Sequence, residues 1–134
     1  MTELNTCSPS SDYPLTQNVV PILHEIRHAM RKLLDEGEAT IIDLRAMPFA
    51  PGEEDELEAR LGTGEVTVRI EALGPSVIKE TSYAGVWLVV HYNTEEEIMG
   101  KFIEITHVPS IIESQTEDIK SGIQALQEGL TIDS

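Results

Sequence analysis

The residues most suggestive of chemistry are two histidines in the pentapeptide HEIRH, which begins at His24 and ends at His28. In a helix this H-E-x-x-H spacing places both imidazoles on one face, where they can ligate zinc while Glu25 acts as the general base of a hydrolase. A catalytic zinc also needs a third protein ligand. The extended metzincin pattern asks for a glycine and a further histidine, but those positions hold Arg31 and Leu34. The catalytic set is therefore incomplete, and His24 and His28 are weak metal candidates.

The helix that carries HEIRH is predicted to run from Val19 to Glu36. Asn18 is placed to cap its first turn, and Gly37 is placed to end it. Its apolar residues recur every three or four positions, which is typical of a helix packed on a core. They are Val19, Ile22, Leu23, Ile26, Met30, Leu33 and Leu34. The two histidines fall on the opposite side, so we expect them to face solvent. A metal-dependent hydrolase is the alternative.

Three acids in predicted strands form a second candidate site, because strands tend to exclude carboxylates. They are Glu65, Glu80 and Glu104, and like charges would raise the pKa of one of them if they converge. Trp87 is the only tryptophan. Buried, it would be a core residue; exposed, it would form an interface hot spot with Tyr83. These five residues are the candidates for partner binding, and the sequence has no Gly-rich phosphate loop or G-x-S-x-G motif.

The charge balance limits the classes of partner. The 134 residues include 24 acidic and 9 basic ones, for a formal net charge of −15. Such a surface repels phosphate backbones and anionic lipids, so we expect binding to neither nucleic acid nor membrane. Cys7, the only cysteine, excludes an internal disulfide and lies in a polar segment, 1–17, predicted to be a flexible arm. Without a signal-peptide pattern, the protein is expected to be cytoplasmic.

The remaining elements predict a single α+β domain over residues 18–134. After the first helix come a short buried strand at 39–44 and a short helix at 51–62. Four further strands are joined by connections too short for parallel crossovers, so they are expected to form an antiparallel meander. They lie at 65–73, 76–82, 85–92 and 98–108. The second of these four is polar enough to be an edge strand, and the third is apolar on both faces, as a central strand would be.

A final helix is predicted from about Ser114, with Glu117 at the capping-box spacing. Its apolar residues are spaced at i, i+4, i+7 and i+11 and are expected to face the core. They are Ile119, Ile123, Leu126 and Leu130. The predicted fold is thus an antiparallel sheet, a four-stranded meander plus one further strand, with helices packed on one face.

Four stretches of the sequence together resemble a known family. They are HEIRHAMRKLLDEGEATIIDLRAMP, LGTGEV, IKETSYAGVW and GKFIEITHVPSII. The most specific pieces are the run from Leu61 to Val66, Glu80-Thr81 with Gly85-Val86-Trp87, and Ile103-Glu104-Ile105 before Val108-Pro109. Over about residues 13 to 115, the chain resembles the C-terminal domain of the HupH/HyaF family of hydrogenase expression/formation proteins.

The resemblance implies a maturation role rather than a reaction. Members of the family are accessory proteins for uptake nickel–iron hydrogenases, thought to act on the iron–sulfur small subunit before export. It therefore implies a non-enzymatic, chaperone-like factor without a cofactor, whose partner is a hydrogenase subunit precursor or another maturation protein. Family members typically carry related domains in tandem, whereas this chain has one. A homodimer, for example through the predicted edge at 76–82, is a further possible arrangement.

Overall fold

The computed structural model describes residues 18–133, which form three α-helices and five β-strands. The helices are α1 (Val19–Glu36), α2 (Glu53–Leu61) and α3 (Thr116–Asp133); the strands are β1 (Thr40–Asp43), β2 (Thr67–Ile70), β3 (Ser76–Glu80), β4 (Val86–Tyr92) and β5 (Ile98–Ile105). The predicted arm at 1–17, with Cys7, lies outside the described residues.

The strands form one antiparallel sheet in the order β1-β5-β4-β3-β2. Consecutive strands from β2 to β5 are neighbours, so they make the predicted four-stranded meander, and β1 adds the further strand beside β5. β4 lies in the centre of the sheet, as its apolar sequence on both faces predicted. The α+β prediction is therefore confirmed.

The main hydrophobic core lies between one face of the sheet and the two helices α1 and α2. The helices contribute residues spaced by three and four positions, and the strands contribute every second residue. The buried set includes Ile22, Ile26 and Leu33 of α1, Leu57 and Leu61 of α2, and Val86, Ile103 and Ile105 of the sheet. This packing fixes which side of α1 is turned away from the core, and that side carries His24 and His28.

α1 begins at Val19 and ends at Glu36, as predicted, but only one of its two predicted caps forms. Gly37 ends the helix in the left-handed conformation, with φ of 73°, and its N–H donates to the Leu33 carbonyl at 2.9 Å. Glycine adopts this conformation without the steric cost that a Cβ brings. Asn18 was predicted to cap the first turn, but its side chain makes no cap hydrogen bond. Its amide instead donates to the carbonyl of Pro48 at 3.1 Å, tying the helix start to the loop before α2.

The opposite face of the sheet carries a smaller apolar cluster. Ile78, Trp87 and Val89 are buried there, and Phe102 packs against them. After β5 the chain crosses this face, where Ile112 joins the cluster and Pro109 is buried. The segment between β5 and α3 is therefore held on the side of the sheet that faces away from α1.

The prediction of an edge strand at 76–82 is wrong. β3 pairs with β2 on one side and with β4 on the other, so its backbone hydrogen-bonding groups are already used. The edges of the described sheet are β1 and the short β2. The polar residues of 76–82 indicated solvent exposure of one strand face, which an internal strand can also have. Pairing of two chains through 76–82 has no free edge to use.

The prediction that the final helix faces the core is also wrong. α3 begins at Thr116, and none of its described residues is buried. The four apolar residues of its stripe, Ile119, Ile123, Leu126 and Leu130, are between 52% and 66% exposed. Their spacing correctly places them on one face, but α1 and α2 already cover the sheet face that a third helix would need.

Candidate functional site

A groove of about 930 Å³ runs between the outward side of α1 and one end of the sheet. We call it the α1 groove. Its second wall comes from the end of β3, the β3–β4 turn and the residues that follow β5. The lining residues are His24, Arg27, His28, Met30, Arg31, Leu33, Leu34, Glu80, Ala84, Gly85 and His107.

The α1 groove is the basic region of a strongly acidic chain. Arg27 and Arg31 lie one helical turn apart on its rim and are exposed. Neither guanidinium forms an ion pair with a residue in the described range 18–133, whereas lysines such as Lys32 and Lys101 do. An unpaired guanidinium can bind a carboxylate through two parallel hydrogen bonds. The groove therefore offers anion-binding capacity that the fold itself does not use.

The floor of the groove is apolar. Leu33 is buried, Met30 is partly buried, and Leu34 leaves 76% of its surface exposed beside them. The sequence assigned Leu34 to the core stripe, but it lies at the margin of that stripe and the core side of the helix is already filled. An exposed leucine beside arginines is the composition expected of a surface that binds an amphipathic chain segment.

The β3–β4 turn is held in one conformation by Thr81. Its buried hydroxyl donates to the carbonyl of Val86 at 2.9 Å, and the Tyr83 N–H donates to the same hydroxyl at 3.2 Å. Gly85 closes the turn with φ of 87°, a conformation that side-chain-bearing residues rarely adopt. The wall of the groove that faces α1 is therefore rigid. Tyr83 itself is half exposed on the outside of the turn.

His24 and His28 face outward, as the helix periodicity predicted. They share the groove with His107, which falls in the predicted strand 98–108 but is exposed after β5 ends at Ile105. Within residues 18–133, no group of three or more His, Cys, Asp or Glu side chains is arranged to hold a metal ion. The three imidazoles are exposed polar side chains along the groove.

The acids proposed for partner binding are only partly brought together. Glu80 and Glu104 are the cross-strand partners of Trp87 on its two sides, about 9.5 Å apart by the usual strand spacing. Glu65 is exposed before β2, away from this row. Trp87 is only 6% exposed, so of its two alternatives the structure has the core position. Of these acids, Glu80 also lines the α1 groove.

Glu104 is the acid whose environment is unusual. It is partly buried on the face of the sheet that carries Trp87, and burial raises its pKa, while the charge of His91 acts in the opposite direction. His91 is held by a 2.7 Å hydrogen bond between its Nδ1 and the Ser76 hydroxyl. The shift therefore has a cause other than the like-charge repulsion that the sequence suggested.

Sequence reasoning did not single out Arg27, Arg31, Leu34 and His107, which the structure places in the groove. A signal for the arginines was present, because the one helix face at positions 24, 27, 28 and 31 carries only histidine and arginine in a chain of net charge −15. For Leu34 and His107 no sequence signal was available, since their places depend on how α1 is turned and where β5 ends.

No helix in the described part of the chain has the length and apolar character needed to cross a membrane. This finding agrees with the absence of a long apolar run in the sequence.

Comparison with known proteins supports the resemblance seen in the sequence. The family described as "HupH hydrogenase expression protein, C-terminal conserved region" matches residues 16–132. The hydrogenase expression/formation protein HoxQ of Azotobacter vinelandii is 29% identical over 113 residues, which cover 83% of this chain and 40% of that protein. HupH of Rhizobium leguminosarum bv. viciae is 27% identical over 111 residues, which cover 83% of this chain and 39% of that protein. The chain thus spans about 40% of the length of these curated relatives.

A solved structure has the same fold. The hydrogenase expression protein HupH from Thiobacillus denitrificans ATCC 25259 superposes with a TM-score of 0.83 and 37% sequence identity. The match covers 87% of this chain and 97% of that one, so a chain of one such domain is the unit seen there. Together, these matches establish that the chain belongs to the HupH family of hydrogenase expression proteins and corresponds to its C-terminal conserved region.

Proposed function

We propose that this chain is a non-enzymatic accessory factor in the maturation of an uptake nickel–iron hydrogenase, and that it works in the cytoplasm. Its client would be the precursor of the iron–sulfur small subunit, bound in the α1 groove. The relatives are named as hydrogenase expression/formation proteins, which supports the accessory role. The observation that carries the proposal is the α1 groove itself, an apolar cleft edged by two arginines that form no ion pair within residues 18–133, on a chain of net charge −15.

The groove has the chemistry to hold a polypeptide segment rather than a small charged molecule. Its volume of about 930 Å³ is at the upper end for small-molecule sites, and it is open along the helix. Leu34 and Met30 would bury apolar side chains of the client, which supplies most of the binding free energy. Arg27 and Arg31 would bind carboxylates on the same segment and so fix its orientation.

Binding without a reaction suits an assembly factor, because such a factor must hold an incomplete client and release it. An apolar floor binds many sequences that have the right pattern, while the arginines reject segments that lack acids. The exposed groove of this chain combines both properties on one helix face. Binding is expected to weaken as salt rises, since the arginine contacts are exposed and are screened over about 8 Å at physiological ionic strength.

The test is binding of purified small-subunit precursor to the immobilised chain. The double variant Arg27→Ala with Arg31→Ala is expected to weaken binding about five- to thirtyfold, since each exposed carboxylate contact contributes about 0.5–1 kcal/mol. The matched control, Arg60→Ala with Arg69→Ala, removes the same charge from exposed positions outside the groove and should bind like the original chain.

Two results would contradict the proposal. If the precursor does not bind the unaltered chain at micromolar concentration, the client is wrong. If both double variants weaken binding equally, total charge rather than the groove is responsible, and the site is wrong.

A further inference from the structure

The apolar stripe of α3, formed by Ile119, Ile123, Leu126 and Leu130, has no partner within the described chain. All four side chains are more than half exposed, and no residue of α3 is buried. Four large aliphatic side chains on one helix face are costly to leave in water, at roughly 25 cal/mol for each Å² of apolar surface. Their 4-3-4 spacing is that of a helix packed lengthwise against another element. Such a face calls for a partner surface of similar length.

The α1 groove matches the stripe in length and in charge. The stripe extends over 12 residues from Ile119 to Leu130, or about 16 Å of helix from first to last, and the α1 side of the groove extends from His24 to Leu34, or about 15 Å. α3 carries four acids, Glu117, Asp118, Glu128 and Asp133, against the one base Lys120, and of these Asp118 and Asp133 lie on one flank of the stripe. The groove presents Arg27 and Arg31 beside an exposed leucine. Apolar and charged parts of the two surfaces are therefore complementary.

The path of the chain makes the groove of a second copy easier for α3 to reach than the groove of its own copy. Pro109 is buried and Ile112 packs with Trp87 on the face of the sheet opposite α1. Only residues 113–115 then separate Ile112 from Thr116, a span of at most about 14 Å for the four Cα–Cα steps. The helix layer lies about 10 Å from the sheet on the other side. To reach its own groove, α3 would have to release Ile112 and expose the cluster beneath it.

We propose that α3 of a second copy of this chain lies in the α1 groove, with its apolar stripe on Leu34 and Met30 and its acids near Arg27 and Arg31. The same contact made in both directions gives a two-fold symmetric dimer that exchanges helices. Because the contact is made twice, the buried area is twice that of a single contact, which brings it towards the roughly 1,200–2,000 Å² of specific interfaces. The dimer covers both exposed apolar surfaces at once.

One consequence rests on the proposed function. If the hydrogenase precursor binds in the α1 groove, α3 of the second copy occupies the place of the client. Client binding then requires displacement of α3, and self-association and client binding compete. The free factor would be protected from unspecific apolar contacts until a client with higher affinity arrives.

The first experiment measures the mass of the full chain by size-exclusion chromatography with light scattering between 1 and 100 μM. We expect a dimer, with twice the chain mass of 14.8 kDa. Leu126→Glu on α3 and the double variant Arg27→Glu with Arg31→Glu in the groove should each weaken self-association by at least about 30-fold, as a charge at the centre of an interface does. Leu73→Glu is the matched control, because Leu73 is 96% exposed on a loop outside both surfaces.

Complementation distinguishes this arrangement from other dimers. A mixture of the α3 variant and the groove variant still contains one intact α3 and one intact groove, so the two should form a mixed dimer with one good contact. Pairing of α3 with α3 predicts instead that the groove variant stays dimeric and that mixing restores nothing. A chain that is monomeric at 100 μM, or a groove variant that remains dimeric, would overturn the proposal. Because α3 contributes no buried residue, circular dichroism should report an unchanged fold in Leu126→Glu.

Adding the precursor separates this inference from the proposed function. Tighter precursor binding by Leu126→Glu than by the unaltered chain supports competition for one groove. Equal binding by the two overturns the competition. A helix-exchanged dimer that binds no precursor leaves the self-association established and contradicts the proposed client alone.

Discussion

The indole Nε1 of Trp87 donates a hydrogen bond to the main-chain carbonyl of Thr106 at 3.1 Å. This bond joins the centre of the sheet to the point where the chain leaves β5. The Thr106 N–H in turn donates to the Gly85 carbonyl at 2.9 Å, so the β3–β4 turn is fastened to the same place. Gly85 and His107 both belong to the wall of the groove opposite α1, and this pair of hydrogen bonds fixes their positions. Trp87, a buried core residue, thereby helps to set the shape of the groove.

Replacing Trp87 by phenylalanine should reduce the free energy of unfolding by about 1–3 kcal/mol. The change leaves a cavity in the cluster with Ile78 and removes the hydrogen bond to Thr106. Urea denaturation followed by circular dichroism measures the loss. Tyr83→Phe is the control, because the Tyr83 ring is half exposed and its removal of one hydroxyl should cost less than about 0.5 kcal/mol. Equal effects of the two changes would mean that Trp87 does not hold the core.

Lys101 holds α2 on the sheet. Its ammonium lies 2.7 Å from a carboxylate oxygen of Glu54 and 2.5 Å from one of Glu58. Burial alone would lower the pKa of Lys101, but the hydrogen bonds to both acids outweigh it, and the pKa is raised. Lys101→Met should therefore destabilise the fold by about 1–3 kcal/mol, between the values for exposed and fully buried pairs. Lys120→Met, which breaks an exposed pair with Glu117, should cost less than about 0.5 kcal/mol.

The pH dependence of the Lys101 contribution follows from the sign of the shift. A raised pKa in the folded state means that the contribution is fully present below the ordinary lysine value of 10.5 and is lost as pH rises through the higher folded value. The stability difference between the original chain and Lys101→Met should thus be constant near neutral pH and shrink in strongly alkaline solution. A difference that vanishes already at pH 7 would contradict the network.

Glu104→Gln should make the protein less sensitive to pH between about 4 and 7. Burial raises the pKa of Glu104 above its ordinary value of 4.5, so the folded state binds the proton more tightly than the unfolded state. That contribution is complete below 4.5 and is lost as pH rises through the folded value. The glutamine variant lacks this loss, and its stability relative to the original chain should increase as pH rises from 4 to 7. Denaturation curves at several pH values test this, with Glu95→Gln in the exposed hairpin loop as control.

Zinc binding distinguishes the HEIRH alternative from a binding groove. We expect the purified chain, loaded with zinc and dialysed, to retain well under one equivalent by elemental analysis, because a structural or catalytic site needs three or four protein ligands. His24→Ala should leave the zinc content little changed. One tightly held equivalent that disappears in His24→Ala would support a metal site in the groove and count against the accessory role.

Most secondary structure was predictable because it depends on local rules. The apolar periodicity of α1 and the glycine at position 37 fixed its length, and the β-branched runs fixed the strands of the sheet. The connections between consecutive strands from β2 to β5 are short, whereas a parallel crossover needs a dozen or more residues. These strands therefore had to form an antiparallel meander. The strand limits were less accurate: the predicted strand at 65–73 pairs regularly only over Thr67–Ile70, and that at 98–108 ends at Ile105.

The sequence by itself determined which residues share a face, and with it the outward position of His24 and His28 on α1. It could not determine what covers each face. The apolar stripes of α1 and α3 have similar spacing, yet that of α1 is buried and that of α3 is exposed to water. The reason is that α1 and α2 already cover the one face of the sheet on which helices pack. Likewise, the polar strand β3 lies inside the sheet rather than at its edge. His107 lines the same groove as Leu34 and Arg31 although it is far from them in the sequence. These outcomes depend on contacts between residues far apart in the chain, which only the folded arrangement brings together.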